Sequence, residues 1–365
     1  MALNNSDTDR PVVTVIVPLY NQERYIDACL RSICRQSYPS IEVIVVNDGS
    51  TDGSAARARR WAARDRRIQI IDKDNQGVSM ARRDGLAAGT GRYVAFVDSD
   101  DTLPRRALEV MVSLIEEHDV DLLLGSVDRR LGILVKHHSD APYTFPCDVK
   151  VEQPELFDKY YLGFYRNNIF PVTMWARLYR RQAIDRAMSA ASLFDLEVNR
   201  MGEDEYFNLM LFPHLRSMYR TREIVYNYMY NGVTTRFNPH FTQLFTLSDK
   251  RLALLDHYGY DEGYPSLYAE YVACLYRYAR QLLAYGKADH DGVIAYFKSE
   301  MEGREVMRRL LDYYAREGTT RRDIRLLLDH DYEGMYQHTL AMLQANRRSL
   351  KFRLRRSFLK LLGKW

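Results

Sequence analysis

The chain is poor in cysteine. Its 365 residues hold four, Cys29, Cys34, Cys147 and Cys274. None forms a Cys-x-x-Cys pair and no metal spacing is visible, so the expectation is small buried thiols in a reducing compartment. Long apolar runs are also missing. No segment approaches the roughly 18 residues needed to span a bilayer. Residues 1–10 are polar and lack an apolar core, so no secretion signal is read and the cytoplasm is the expected compartment. No Gly-x-Gly-x-x-Gly follows the first predicted strand, which argues against an ordinary dinucleotide fold. Acidic residues vanish from Gly334 onward, where eight lysines and arginines stand without one carboxylate side chain. The net charge is +4, so the rest of the chain sums to −4. A mildly acidic body does not favour a nucleic-acid partner.

What is present is a soluble composition, 46% hydrophobic and 27% charged. A β-branched run over 12–17 ends in the turn Pro18-Leu19-Tyr20-Asn21. Ile26, Leu30 and Ile33 follow at helical spacing. Residues 41–46 form a second apolar run that stops at Asn47-Asp48-Gly49-Ser50, where short polar residues and glycine permit a tight turn and a helix cap. A helix through Trp61, a strand over 68–71, a turn over 72–77 and a helix over 78–88 continue the alternation. Strand and helix in turn with short connections specify an α/β fold with a mostly parallel sheet.

The next strand, Tyr93-Val94-Ala95-Phe96-Val97, reads as buried on both faces and stops at Asp98-Ser99-Asp100-Asp101. In open α/β sheets ligands lie just beyond the carboxyl ends of the strands. Carboxylates there suit Mg²⁺ or Mn²⁺, which accept oxygen ligands from one or two acids, phosphate and water. The bland alternative is a polar turn that caps the next helix, with Pro104 in its first turn. Farther on the sequence predicts a helix over 108–117, a strand over 120–124, an irregular hairpin or loop over 132–151, a helix over 154–165 and a strand over 224–230. From about residue 241 the pattern is helical to the end.

Several motifs in fixed order resemble the family 2 glycosyltransferases over about residues 11–235. They are Val15-Ile16-Val17-Pro18-Leu19-Tyr20-Asn21, then Val46-Asn47-Asp48-Gly49-Ser50-Thr51-Asp52, then Asn75-Gln76-Gly77-Val78-Ser79-Met80-Ala81-Arg82. Phe96-Val97-Asp98-Ser99-Asp100-Asp101, Trp175-Ala176-Arg177-Leu178-Tyr179-Arg180 and Gly202-Glu203-Asp204 complete the set. The resemblance implies a GT-A type nucleotide-diphospho-sugar transferase domain and an inverting hexosyl- or N-acetylhexosaminyltransferase of surface-glycan synthesis. Arg83 stands where the family usually has Asn, Arg177 where it usually has Lys, and Val233-Thr234-Thr235 only approximates the usual Ser-Ile or Ser-Thr pair.

Carried over residue by residue, the resemblance puts Pro18, Tyr20, Glu23, Asp48, Asn75, Arg82, Asp98, Ser99 and Trp175 on the donor. Tyr20 lies against a base, Asp48 accepts from its imide N–H, and Arg82 pairs with Asp98 or the diphosphate. Asp98 and Asp100 are the expected metal ligands, with Mn²⁺ or Mg²⁺ as cofactor. Asp204 is the expected general base toward a glycan or lipid-linked acceptor. The bland reading of Asp204 and its acidic neighbours is compensation of a helix dipole. A nucleotidyltransferase on the same fold would need a Gly- and Lys-rich phosphate loop after the first strand, which is absent. A non-catalytic glycan-binding or scaffold protein is the remaining alternative, opposed by the intact Asp98, Asp100 and Asp204.

The expected organisation is a catalytic domain over 1–240, a helical extension over 241–345 and a basic amphipathic tail helix over 346–365. Tyr268, Tyr271, Leu275, Tyr278 and Leu282 recur at helical spacing and read first as core. Leu350, Leu354, Phe358, Leu361, Leu362 and Trp365 share one face of the tail. The other face is largely basic, which suits an anionic membrane surface.

Overall fold

The computed structural model describes residues 12–131, 134–137, 147–163, 172–229 and 237–348. The chain divides into two units, residues 1–231 and 232–365.

The first unit is an α/β domain. Its opening strands are β1 (Val13–Leu19), β2 (Ile41–Asp48), β3 (Ile68–Lys73) and β4 (Tyr93–Phe96), joined by α1 (Ile26–Cys34), α2 (Ser54–Ala62) and α3 (Val78–Ala88). Every residue of β1 is buried, as a continuous run of Val and Ile requires when helices cover both faces. β1 pairs in parallel with β2 and β4, and β2 with β3. The chain therefore steps one way from β1 to β3 and the other way to β4, which opens a crevice at the carboxyl ends of the central strands. Register decides what lines it. Leu19 sits beside Asn47, and Ile16 beside Phe96, so Tyr20, Asp48 and Asp98 each follow or close a strand at the same edge.

α4 (Ala107–Glu117) precedes the second half of the sheet. This holds β5 (Leu122–Leu131), β6 (Leu134–His137), β7 (Val149–Glu152), β8 (Arg177–Arg180) and β9 (Ser217–Met229), with α5 (Arg181–Ala190) and α6 (Glu203–Leu211). The nine strands run in the order β3-β2-β1-β4-β8-β5-β9-β7, and β6 pairs with β5. β8 is antiparallel to both β4 and β5, while β5 and β9 pair in parallel, so the sheet is mixed but mostly parallel, as expected. The strand expected over 120–124 runs on to Leu131. The region expected to be irregular contains β6 and β7, and only Val151 of β7 is buried, so no alternation announced that strand. The helix expected over 154–165 is a π-helical turn, Leu156–Tyr161.

The second unit is helical: α7 (Gln243–Tyr258), α8 (Tyr264–Ala284), α9 (His290–Glu302), α10 (Glu305–Glu317), α11 (Arg322–Leu328) and α12 (Tyr332–Arg348). Tyr268, Tyr271 and Leu275 of the aromatic stripe are buried, while Tyr278 and Leu282 are half-buried. No described helix is long and apolar enough to cross a membrane. Beyond Arg348 the expected tail helix lies outside the described residues, as does Val233-Thr234-Thr235.

Candidate active site

Three loops and one helix start build the site. Asp48 closes β2 and is buried. Its Oδ1 accepts the Gln76 N–H and its Oδ2 the Gly77 N–H, each at 2.8 Å. This clamp fixes the entry to α3. Gly77 has φ +97°, and a Cβ there would lie 2.9 Å from the Asn199 carbonyl oxygen, so only glycine fits. Asn199 returns the contact through Nδ2 to the Gln76 carbonyl, at 2.8 Å. The Asn75 amide oxygen accepts from Arg200. The loop before α3 is thereby tied to the segment that leads into α6.

One turn into α3 stands Arg82, only 2% exposed. Its Nη2 donates to Asp98 Oδ1 at 3.0 Å, and its Nη1 to Asp204 Oδ1 at 2.5 Å and Glu203 Oε1 at 3.2 Å. A single guanidinium thus brings together the acid after β4 and the acids that open α6. Burial opposes its charge, but Asp204, Asp98 and Glu203 outweigh that cost and hold Arg82 above its ordinary value. The acids respond in the other direction. Desolvation raises Asp98, Arg82 opposes, and the charge of Asp204 adds to the rise. Burial and then Asp204 push Glu203 up to about 7, with Arg82 again opposing.

Asp204 lies in the first turn of α6, after Gly202 at φ +83°. Its Oδ2 accepts the Met174 N–H at 3.1 Å. Asn208, four residues on, donates from Nδ2 to the Asp204 carbonyl at 2.6 Å and to the Val172 carbonyl at 2.7 Å, and its Oδ1 accepts from Arg177 Nη1 at 2.7 Å. Arg177 is buried, so the departure from the usual Lys serves this internal bond.

The acidic loop after β4 is held from β9. The Asp98 N–H donates to the Tyr226 hydroxyl at 3.1 Å, and that hydroxyl donates to Asp101 Oδ2 at 2.8 Å. The Met229 N–H completes the hold on Asp101 Oδ1 at 2.6 Å. Asp101 is buried, and burial followed by the charges of Asp98 and Asp100 pushes it up to about 8. Trp175 stacks on Tyr226 with ring centroids 5.3 Å apart and also meets Tyr228 at 5.6 Å. Ser99 is buried within the loop, Pro18 is buried at the end of β1, and Tyr20 is 45% exposed at the rim.

The structure does not gather every expected donor residue around the acids. Glu23 accepts from the Gly53 N–H at 3.2 Å and from Arg57 at 3.3 Å, so its contacts join the turn before α1 to the start of α2. Arg83 pairs with its neighbour Asp84. Among the described residues no three His, Cys, Asp or Glu side chains converge as a ready metal cage. A hard cation that keeps water and phosphate oxygens does not need one. Burial raises Asp101 first and the charges of Asp98 and Asp100 add to it, and acids gathered in this way favour added positive charge.

Residues 14–187 match the family described as Glycosyl transferase family 2. EpsJ of Bacillus subtilis, described as an uncharacterized glycosyltransferase, is 31% identical over 258 residues, 68% of this chain and 71% of EpsJ. The chain belongs to glycosyltransferase family 2. The glycosyltransferase GlyA of Streptococcus pneumoniae is 28% identical over 350 residues, 94% of this chain and 47% of GlyA, so the chain spans about half that relative's length. Among solved structures, S. aureus TarS 1-349 matches 88% of this chain and 91% of its own with a TM-score of 0.55 at 18% identity. Its complex with UDP-GlcNAc gives a TM-score of 0.54 at 19% identity. These likenesses carry the fold: a GT-A type domain, as the motifs implied. The curated relatives are described as glycosyltransferases, which favours an enzyme over the scaffold alternative.

Proposed function

We propose that this family 2 glycosyltransferase moves a sugar from a nucleoside-diphosphate sugar, a UDP-sugar before others, to a hydroxyl of a glycan or glycolipid in surface-polysaccharide synthesis. One observation carries the reading: Arg82 holds Asp98, at the donor edge of the sheet, and Asp204, the candidate base, through the same guanidinium. Donor and acceptor chemistry then share a cleft. The likeness in fold to TarS, solved with UDP and with UDP-GlcNAc, supports the choice of nucleotide.

In this reading the exposed Tyr20 ring lies against the base. Asp48 keeps the adjoining loop in place and has lone pairs left for an imide N–H. Asn75 and Ser99 line the donor, and Trp175, backed by Tyr226, walls the sugar. Glu23 acts at one remove, through α2. Asp98 and Asp100 would hold Mn²⁺ or Mg²⁺, which when bound neutralises charge on the departing diphosphate. Arg82 adds a fixed positive charge beside it. Asp204 takes the acceptor proton as the hydroxyl attacks the anomeric carbon in line, which inverts that centre. The catalytic domain is read as residues 1–240, the helical extension as 241–345 and a basic membrane-facing tail as 346–365. Truncation after Asn346 is then expected to release the protein from vesicles with anionic lipid. Unchanged vesicle binding refutes the tail reading.

The donor reading is tested by thermal stabilisation across nucleotide sugars with and without Mn²⁺ or Mg²⁺, followed by donor hydrolysis. A UDP-sugar is expected to raise the melting temperature more with metal than without, and hydrolysis should need the metal. Equal stabilisation with and without metal, together with no hydrolysis, would sink it.

A further inference from the structure

Asn208 occupies a position on α6 where an apolar side chain is expected. It follows Asp204 by four residues and precedes Leu211 by three, so these three share one face of the helix. Its neighbours Tyr206, Phe207, Leu209 and Leu211 are buried, and Asn208 itself is 1% exposed. An amide in such a place is costly unless its donors and its acceptor are matched. Both are matched here. Nδ2 donates to the Asp204 carbonyl at 2.6 Å and the Val172 carbonyl at 2.7 Å, and lies 3.4 Å from that of Thr173. Oδ1 accepts from Arg177 Nη1 at 2.7 Å and lies 3.5 Å from the Tyr179 hydroxyl.

Arg177 decides which way the amide faces. A guanidinium only donates, so Oδ1 must turn toward it and the NH2 toward the carbonyls. Those carbonyls belong to two stretches of chain. One is the start of α6. The other is residues 172–173, which lead directly into Met174 and Trp175. The Met174 N–H then returns to Asp204 Oδ2 at 3.1 Å. A closed circuit results. It runs from the Asp204 carbonyl through Asn208 to Val172, along the chain to Met174, and back to the Asp204 carboxylate. Arg82 holds the other oxygen, Oδ1. The carboxylate is thereby fixed at both oxygens, one from α3 and one through Asn208.

We propose that Asn208 is a positioning residue for sugar transfer. Its amide, turned by Arg177, holds residues 172–174 so that the Met174 N–H sets the Asp204 carboxylate for the incoming hydroxyl. Asn208 touches no reacting atom and acts through Met174 and Asp204. The inference rests on the reading of Asp204 as the base. A polar network that is fully satisfied rigidifies its surroundings, and a shift of about 1 Å at a reacting group can cost on the order of 10²-fold in rate. A purely structural amide would matter for folding and leave the turnover of the folded enzyme alone.

The test uses the full chain and two variants. Asn208→Asp at about pH 8 keeps an acceptor for Arg177 and loses both donors, since an ionised carboxylate only accepts. The pair Arg177→Met with Asn208→Leu replaces both polar partners by apolar side chains, which can be nearly neutral for stability. Its urea midpoint should therefore lie close to the parent's. Amide hydrogen exchange over residues 172–175, read by mass spectrometry without any donor, should speed up about tenfold or more in both variants, with β1 unchanged. On the nucleotide sugar that most stabilises the parent, kcat should fall about ten- to a hundredfold while donor affinity stays within about twofold. Exchange over 172–175 as slow as the parent's in either folded variant would overturn the proposal. So would a pair that regains the parent's kcat along with its stability, or a loss confined to donor affinity. The exchange measurement needs no donor, so it stands if the donor reading fails. The two failures are thus told apart: full turnover by Asp204→Asn removes the base reading, and unaltered exchange removes this one.

Discussion

Asp204→Asn is expected to bind nucleotide sugar as the parent does and to lose transfer by about 10²–10⁴-fold, the usual share of a general base. The amide keeps the shape of the carboxylate and can still accept the Met174 N–H, so the start of α6 should survive. What it loses is the lone pair able to take a proton from an incoming hydroxyl. Single-turnover transfer, measured beside donor affinity by thermal shift, separates the two effects. If turnover remained within a few-fold of the parent while donor affinity held, Asp204 would not be the base. A fall in donor affinity alone would make it a binding group.

The second large effect belongs to stability. Arg82→Met removes a cation that touches Asp98, Glu203 and Asp204 together. Taking one partner out of a buried ion pair typically costs about 3–5 kcal/mol, because the partner charges stay desolvated. That loss should depend on pH with a definite sign. Asp98 and Glu203 already titrate above their ordinary values in the folded chain. A carboxylate raised in this way contributes stability below its unfolded value of about 4, and the contribution disappears as pH rises through the folded value, about 7 for Glu203. Without Arg82 the folded values climb further, so the penalty should be largest at pH 8 and shrink by pH 5.5. Urea midpoints of the variant and parent at those two pH values measure it. The same deficit at both would mean that Arg82 matters through packing rather than charge.

Much of this architecture could be read from the residues, and the limits have physical causes. The first four strands were legible because β1, β2 and β4 are continuous apolar runs closed by polar turns, and their carboxyl ends supplied Asp48 and Asp98. β7 was not, since it pairs with β9 while burying only Val151. The charge pairing of Arg82 with Asp98 was anticipated, yet its hold on Glu203 and Asp204 spans more than 120 positions and leaves no local trace. Tyr226 escaped notice for the same reason. It was one of a row of tyrosines, and only the sheet aims its hydroxyl at the loop after β4. Asn208 could have been found, because it stands one helical turn after Asp204, where a side-chain amide can reach back to the carbonyl. Glu23 shows the converse. Its place in the sequence suggested the donor, and Arg57 with the Gly53 N–H claims its carboxylate.

The Nε of Arg82 is buried and without a hydrogen-bond partner. Its four other N–H groups face three carboxylates, so any phosphate that settles beside this side chain enters a competition already under way. Charge drawn toward a phosphate is charge withdrawn from Asp98, Glu203 and Asp204. One guanidinium therefore has to be shared between whatever sits on one side of the cleft and the acids on the other.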